Sequence, residues 1–121
     1  MEISSETIEI KTVGVDAAAI GSGKTPAMMG FLLDIELDFH ASAPATTDVT
    51  ITDENGNAIL TVTDSNTDAV IAPRQKLVDN ANAAITNSFE RFPLNGQLSF
   101  AVAGCNALDP ALTAKVRYLR L

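Results

Sequence analysis

The side chains best suited to nucleophilic chemistry in this sequence are its single histidine, His40, and its single cysteine, Cys105. A thiol works as a nucleophile when a base or positive charge holds it as thiolate, and that base needs a third group to orient it. Nothing in the sequence brings a third group to this pair. Cys105 is expected to be a buried or loop cysteine with no chemical role, and His40, just past a strand end, a surface residue.

Three other stretches imitate ligand sites. Ala18-Ala19-Ile20-Gly21-Ser22-Gly23-Lys24-Thr25 formally satisfies a relaxed pattern for a phosphate-cradling loop, in which glycine amides hold phosphate and the lysine reaches its outer oxygens. Such a loop must open a helix, whereas Pro26 and then a strand follow here. The expectation is a flexible loop bent by its glycines, with no nucleotide. Asp53-Glu54-Asn55-Gly56-Asn57 imitates a calcium loop, but strand residues follow where the distal glutamate of that motif belongs. It is expected as a turn. Asp34, Glu36 and Asp38 share one strand face; the expectation is a solvated row, or one neutralised by Lys and Arg from a neighbouring strand. The sequence therefore predicts no catalytic residue, no metal site and no cofactor.

Composition narrows the classes further. The chain has 121 residues, 15 acidic and 8 basic, for a net charge of −7, and 46% of it is apolar. That length fits one domain with one core. The acidic balance and the scattered cations disfavour nucleic acid, which is bound through clustered Lys and Arg. No apolar run reaches the roughly 18 residues of a membrane-spanning helix, so no membrane partner is expected. The first residues are acidic and polar, unlike a secretory or transit segment. With one Cys, one Tyr and no Trp, but abundant Thr, Val, Ile, Leu and Ala, the composition suits a structural or binding module made of strands.

Strand periodicity dominates the pattern. Phe31, Leu33, Ile35, Leu37 and Phe39 alternate with Leu32, Asp34, Glu36 and Asp38, which predicts a half-buried strand. A hairpin follows: Val49–Thr52 and Ala58–Thr63 flank Asn55-Gly56, whose residue types predict a tight primed turn. Folding there sets Val49 opposite Val62, Thr50 opposite Thr61 and Ile51 opposite Leu60. Four more strands are predicted at Thr7–Val13, Ala69–Ala72, Leu98–Val102 and Leu112–Tyr118. About seven strands with no crossover helices predict an all-β fold of antiparallel sheets, a β-sandwich (jelly-roll-like) or a small barrel.

Residues 74–97 break this rhythm and are read as one extended loop, with Gln75–Ile85 also compatible with a short helix. A connection that long in a small domain is usually functional. It carries Arg74, Phe89, Arg91 and Phe92, and Arg and aromatic side chains dominate interfaces when they fill pockets. These four are the candidate partner-binding residues. The alternative for the two Phe residues is a satellite cluster beneath the loop. Residues 1–6 are read as an N-terminal arm and 7–121 as the single domain.

The order of features from Thr7 to Leu121 resembles a known group. It comprises the Phe31–Phe39 strand, the Asp48-Val49-Thr50-Ile51-Thr52-Asp53 and Ile59-Leu60-Thr61-Val62-Thr63 hairpin, Thr67-Asp68, Pro73-Arg74, the long loop, Leu98–Ala103 and a closing strand. This is similar to the decoration, or cement, proteins of tailed bacteriophage capsids. The resemblance implies a non-enzymatic virion protein made in the host bacterial cytoplasm and carried on the outer capsid surface. Its implied partners are the major capsid protein and further copies of itself, with a trimer favoured. The competing classes are another virion part (a head-fibre base, neck or tail module) and a β-sandwich carbohydrate-binding module. A carbohydrate-binding module normally stacks sugars on Trp or Tyr, of which this chain has none and one.

Overall fold

The alternating segment around Ile35 becomes the longest strand of the molecule, the axis on which the candidate site is mounted. The computed structural model describes residues 1–121 as eleven strands without a helix. They are β1 (Glu2–Ile10), β2 (Ala19–Lys24), β3 (Met28–Phe39), β4 (Asp48–Thr52), β5 (Ala58–Val62) and β6 (Ala69–Ile71), then β7 (Arg74–Val78), β8 (Ala84–Arg91), β9 (Pro93–Gly96), β10 (Ser99–Cys105) and β11 (Leu112–Arg120). Every pairing is antiparallel. One five-stranded sheet runs β1-β11-β3-β6, with β9 also on β3; a four-stranded sheet runs β2-β10-β4-β5; β7 and β8 form a separate ribbon.

One core serves both large sheets. Ile10, Leu32, Ile35, Leu37, Leu112 and Val116 come to it from the first, and Val49, Ile51, Phe100 and Val102 from the second. Burying such side chains is worth roughly 1.5–3 kcal/mol each, which is why the two-faced strands close on one another.

The phase of β3 departs from the sequence expectation. Asp34 pairs with Arg117 but Leu32 pairs with Tyr118, so Leu33 is an extra, bulged residue. A bulge flips every side chain on one side of it to the other face. Leu32 is consequently buried while Phe31 is 37% exposed. The predicted stripe holds from Ile35 to Phe39 and inverts before Leu33.

The β4–β5 register is the one read from sequence: Val49, Thr50 and Ile51 face Val62, Thr61 and Leu60. The turn is different. Only Gly56 has positive φ, at 82°, and its amide donates to Asp53 O at 3.1 Å while Asp53 N donates to Asn57 O at 3.0 Å. This is a three-residue loop ending in a left-handed glycine, in place of a two-residue primed turn. The Asp53 side chain selects it, accepting from Asn55 N and Asn57 N at 2.9 Å and from Asn57 Nδ2 at 3.1 Å.

Partial burial opposes ionisation of Asp53, but these bonds outweigh it and hold the carboxyl below its usual range. A folded-state value below the unfolded one contributes stability above the unfolded pKa and loses it as pH falls through the folded pKa. Asp53→Ala is expected to lower stability by about 1 kcal/mol at neutral pH. The deficit should shrink as the parent is acidified past the carboxylate range, which urea titrations at several pH values would read.

Three segments fold otherwise than expected. The glycine stretch is strand β2, paired with β10. Gly21 serves close approach, since a Cβ there would lie 2.2 Å from Lys11 O. Residues 2–6 are no free arm: Glu2–Glu6 pair with Arg120–Val116 as the outer end of β1. Residues 74–97 are neither coil nor helix but the β7–β8 ribbon followed by β9.

Candidate functional site

The ribbon leaves the body through a gap in the edge of β3. Along that edge β6 pairs with Ile35–Leu37 and β9 with Met28–Phe31, leaving Leu32–Asp34 outside both ladders. The chain exits and re-enters there. Leu32 N donates to Phe92 O at 3.0 Å, and the Arg74 guanidinium donates to Leu33 O at 3.1 Å and Pro73 O at 2.8 Å. The bulge thus supplies the carbonyl that anchors the ribbon's first residue.

Beyond this root the ribbon is bare. Apart from Gln75, Leu77 and Ser88, all its strand residues are exposed, with Val78 at 44%, Ile85 at 43% and Phe89 at 61%. Its tip repeats the Asp53 turn: Asp79 N donates to Ala83 O, Asn82 N to Asp79 O, and the Asp79 carboxylate accepts from Ala81 N and Ala83 N. Asn82, at φ 62°, stands where Gly56 stands in the first turn. An Asp followed three residues later by Gly or Asn is therefore the sequence signal that finds this second hairpin.

Pairing sorts the candidate residues. Arg74 faces Arg91, and Lys76 faces Phe89, so these four side chains share one ribbon face. Lys76 was not among the residues singled out from sequence; the alternation of Arg74, Lys76 and Val78 against Gln75 and Leu77 marks it. Phe92, by contrast, is half-buried against the main core and belongs to the root. On the opposite ribbon face Gln75 Nε2 donates to Glu90 Oε1 at 2.9 Å.

The other singled-out residues lie elsewhere. Thr25 is fully buried, its hydroxyl donating to Pro26 O at 2.9 Å and accepting from Leu98 N at 3.0 Å, which spends it on backbone. Lys24 is exposed at the end of β2. Cys105 is enclosed in the core, and His40 is exposed, its Nδ1 accepting from Ser42 N at 2.9 Å. In the acidic row, Arg117 grips Asp34 in a bidentate pair, its Nε and Nη2 donating to the two carboxylate oxygens, and Lys115 lies opposite Glu36. Those Arg117 hydrogen bonds hold the Asp34 carboxyl below its ordinary range against partial burial, with the nearby charges of Arg117, Arg74 and Lys115 adding to the effect.

A cleft of about 350 Å³ lies between the Asp53–Asn57 turn and β9, lined by Asn55, Asn57, Gln75, Asn95 and Gln97 with Phe92 in its wall. No protein-family model matches the chain, and no curated protein matches it.

Proposed function

We propose that the protein is a non-enzymatic virion component that binds the outside of the assembled capsid of a tailed bacteriophage and stabilises it. We read the two sheets about their common core as a β-sandwich of jelly-roll type, a body from which the ribbon reaches outward. The single observation that carries the proposal is that ribbon: a two-stranded arm offering two arginines, a lysine and a phenylalanine to solvent, pinned at its root by Arg74 and Phe92. Exposed Arg and aromatic side chains are the types enriched at contacts between macromolecules, which supports this reading. A protein that binds only the assembled lattice stabilises it by mass action, and many copies on one shell multiply modest contacts.

Negative-stain microscopy of phage particles with gold-labelled antibody against the protein tests the assignment. Label over the head shell is the expected result; label on the tail or neck would replace capsid decoration by another virion role.

A second reading, a carbohydrate-binding module, is favoured by the amide-lined cleft beside Phe92. Amides and carboxylates offer paired donors and acceptors to hydroxyl groups, and the volume falls in the range of small-ligand sites. Glycan-array binding that is lost in Asn95→Ala would support that reading over the first.

A further inference from the structure

We infer that the cationic face of the ribbon docks on a second copy of this chain, in the acidic depression at the junction of β3 and β6. This deepens the reading above by naming the ribbon's partner, and rests on that reading only in taking the ribbon as the binding element.

The first observation is electrostatic frustration on the ribbon. Arg74 and Arg91 are directly opposed across the ladder, and like charges so placed repel. Arg74 spends its guanidinium hydrogen bonds on two carbonyls, but Arg91 and Lys76 have no carboxylate partner. The molecule's two salt bridges are Arg117–Asp34 and Arg120–Glu2. Three of the chain's eight cations therefore crowd one exposed face of a protein whose net charge is −7. An anionic surface laid across that face turns the repulsion into attraction.

The second observation is that the chain carries such a surface itself. A shallow depression of about 330 Å³ is lined by Glu36, Asp38, Asp68, Leu37, Ala69 and Val70. None of its three carboxylates is in a salt bridge: Glu36 lies opposite Lys115 and near Arg117, which Asp34 already holds, Asp38 lies opposite Thr113, and Asp68 accepts from Phe39 N at 2.8 Å. Among them Val70 is 63% exposed, an apolar seat for Phe89.

The spacings agree as well. Glu36 and Asp38 are two residues apart on one strand, as are Arg74 and Lys76, and Phe89 and Arg91, so each pair repeats at about 6.7 Å. A strand-to-strand approach sets cations over carboxylates at one pitch. The chain's own ribbon leaves its cationic face exposed, so the occupant comes from another molecule. Donor and acceptor are different patches, which makes the contact head-to-tail, closing into a ring or continuing as a filament.

Sedimentation velocity of the purified full-length protein, without capsids, tests this. The parent is expected to associate at micromolar concentration in low salt and to dissociate as NaCl approaches about 1 M, where screening is strong. K76E/R91E and E36K/D38K should each weaken association about 100-fold. The four substitutions combined in one chain should restore it, because both partners are then reversed. Thermal melts confirm that each variant is folded, and the salt dependence of the unaltered protein needs no variant.

A parent that stays monomeric, association indifferent to salt, or a combined variant that is folded yet as dissociated as the two others would overturn the pairing. Capsid occupancy is read separately. Self-association with bare capsids keeps the pairing and removes the decoration role, whereas a monomer that coats capsids does the reverse.

Discussion

Replacing Gly30 with alanine is expected to destabilise the protein by at least about 3 kcal/mol, a fall in thermal midpoint on the order of 10 °C. Gly30 lies in the middle of the five-stranded sheet, paired with Arg120 on one side and Leu94 on the other. Its φ is 152°, a region that side chains avoid. A Cβ there would lie 1.7 Å from Leu119 O and 2.8 Å from Leu119 C, both backbone atoms in a neighbouring strand. Relief requires β11 to move, and β1 hangs on β11. Gly56→Ala is the matched control. Its φ is also positive, at 82°, but nothing lies within 4 Å, so only the left-handed strain of about 1–2 kcal/mol is expected. Urea unfolding of both variants reads the difference. A Gly30→Ala protein as stable as Gly56→Ala would mean that β11 does not press on β3 as described.

The second large effect concerns binding, with stability as the contrast. Phe89→Ala combined with Arg91→Ala is expected to change unfolding free energy by no more than about 0.5 kcal/mol, because both side chains are exposed and away from the core. The same pair should weaken attachment to undecorated capsids at least about 30-fold, because copies that no longer hold one another through the ribbon lose their multivalent grip on the lattice. Phe92→Ala should behave oppositely. Its ring packs on the main core at the ribbon root, so the substitution should cost stability and weaken binding only through a loosened root. Melting curves beside capsid co-sedimentation separate the cases. Unchanged capsid attachment in the Phe89/Arg91 variant would show that attachment does not depend on the ribbon.

Some of this was legible in the sequence and some was not, for reasons that can be located. The β4–β5 register was readable because Val49, Ile51, Leu60 and Val62 give it a buried face and Thr50 and Thr61 a wet one. The face reversal in β3 was not, because a bulge at Leu33 depends on how β11 pairs across from it. Strand β2 was hidden by its glycines, which weaken strand propensity while permitting the approach of Lys11. The outer end of β1 carries Glu2, Ser4, Ser5 and Glu6, too polar for alternation to stand out, and its pairing comes from β11.

The ribbon was hardest to see. A strand with no buried face has no apolar period to display, so residues 74–97 read as loop although Asp79 and Asn82 mark a turn. Of the four candidate residues, Arg74, Phe89 and Arg91 were brought onto one face, joined by Lys76, while Phe92 went to the root. The cleft beside β9 had no sequence signal at all, since its amides come from the β4–β5 turn, β7 and β9 together.

Binding of the purified protein to tailed-phage capsids assembled without it, followed by copy number per particle and by the temperature at which the shells break open, tests the central claim most directly. Saturable attachment to the outer shell, accompanied by a rise in that temperature, is the result predicted. Capsids that remain bare at saturating protein, or that are coated without any gain in stability, would contradict it.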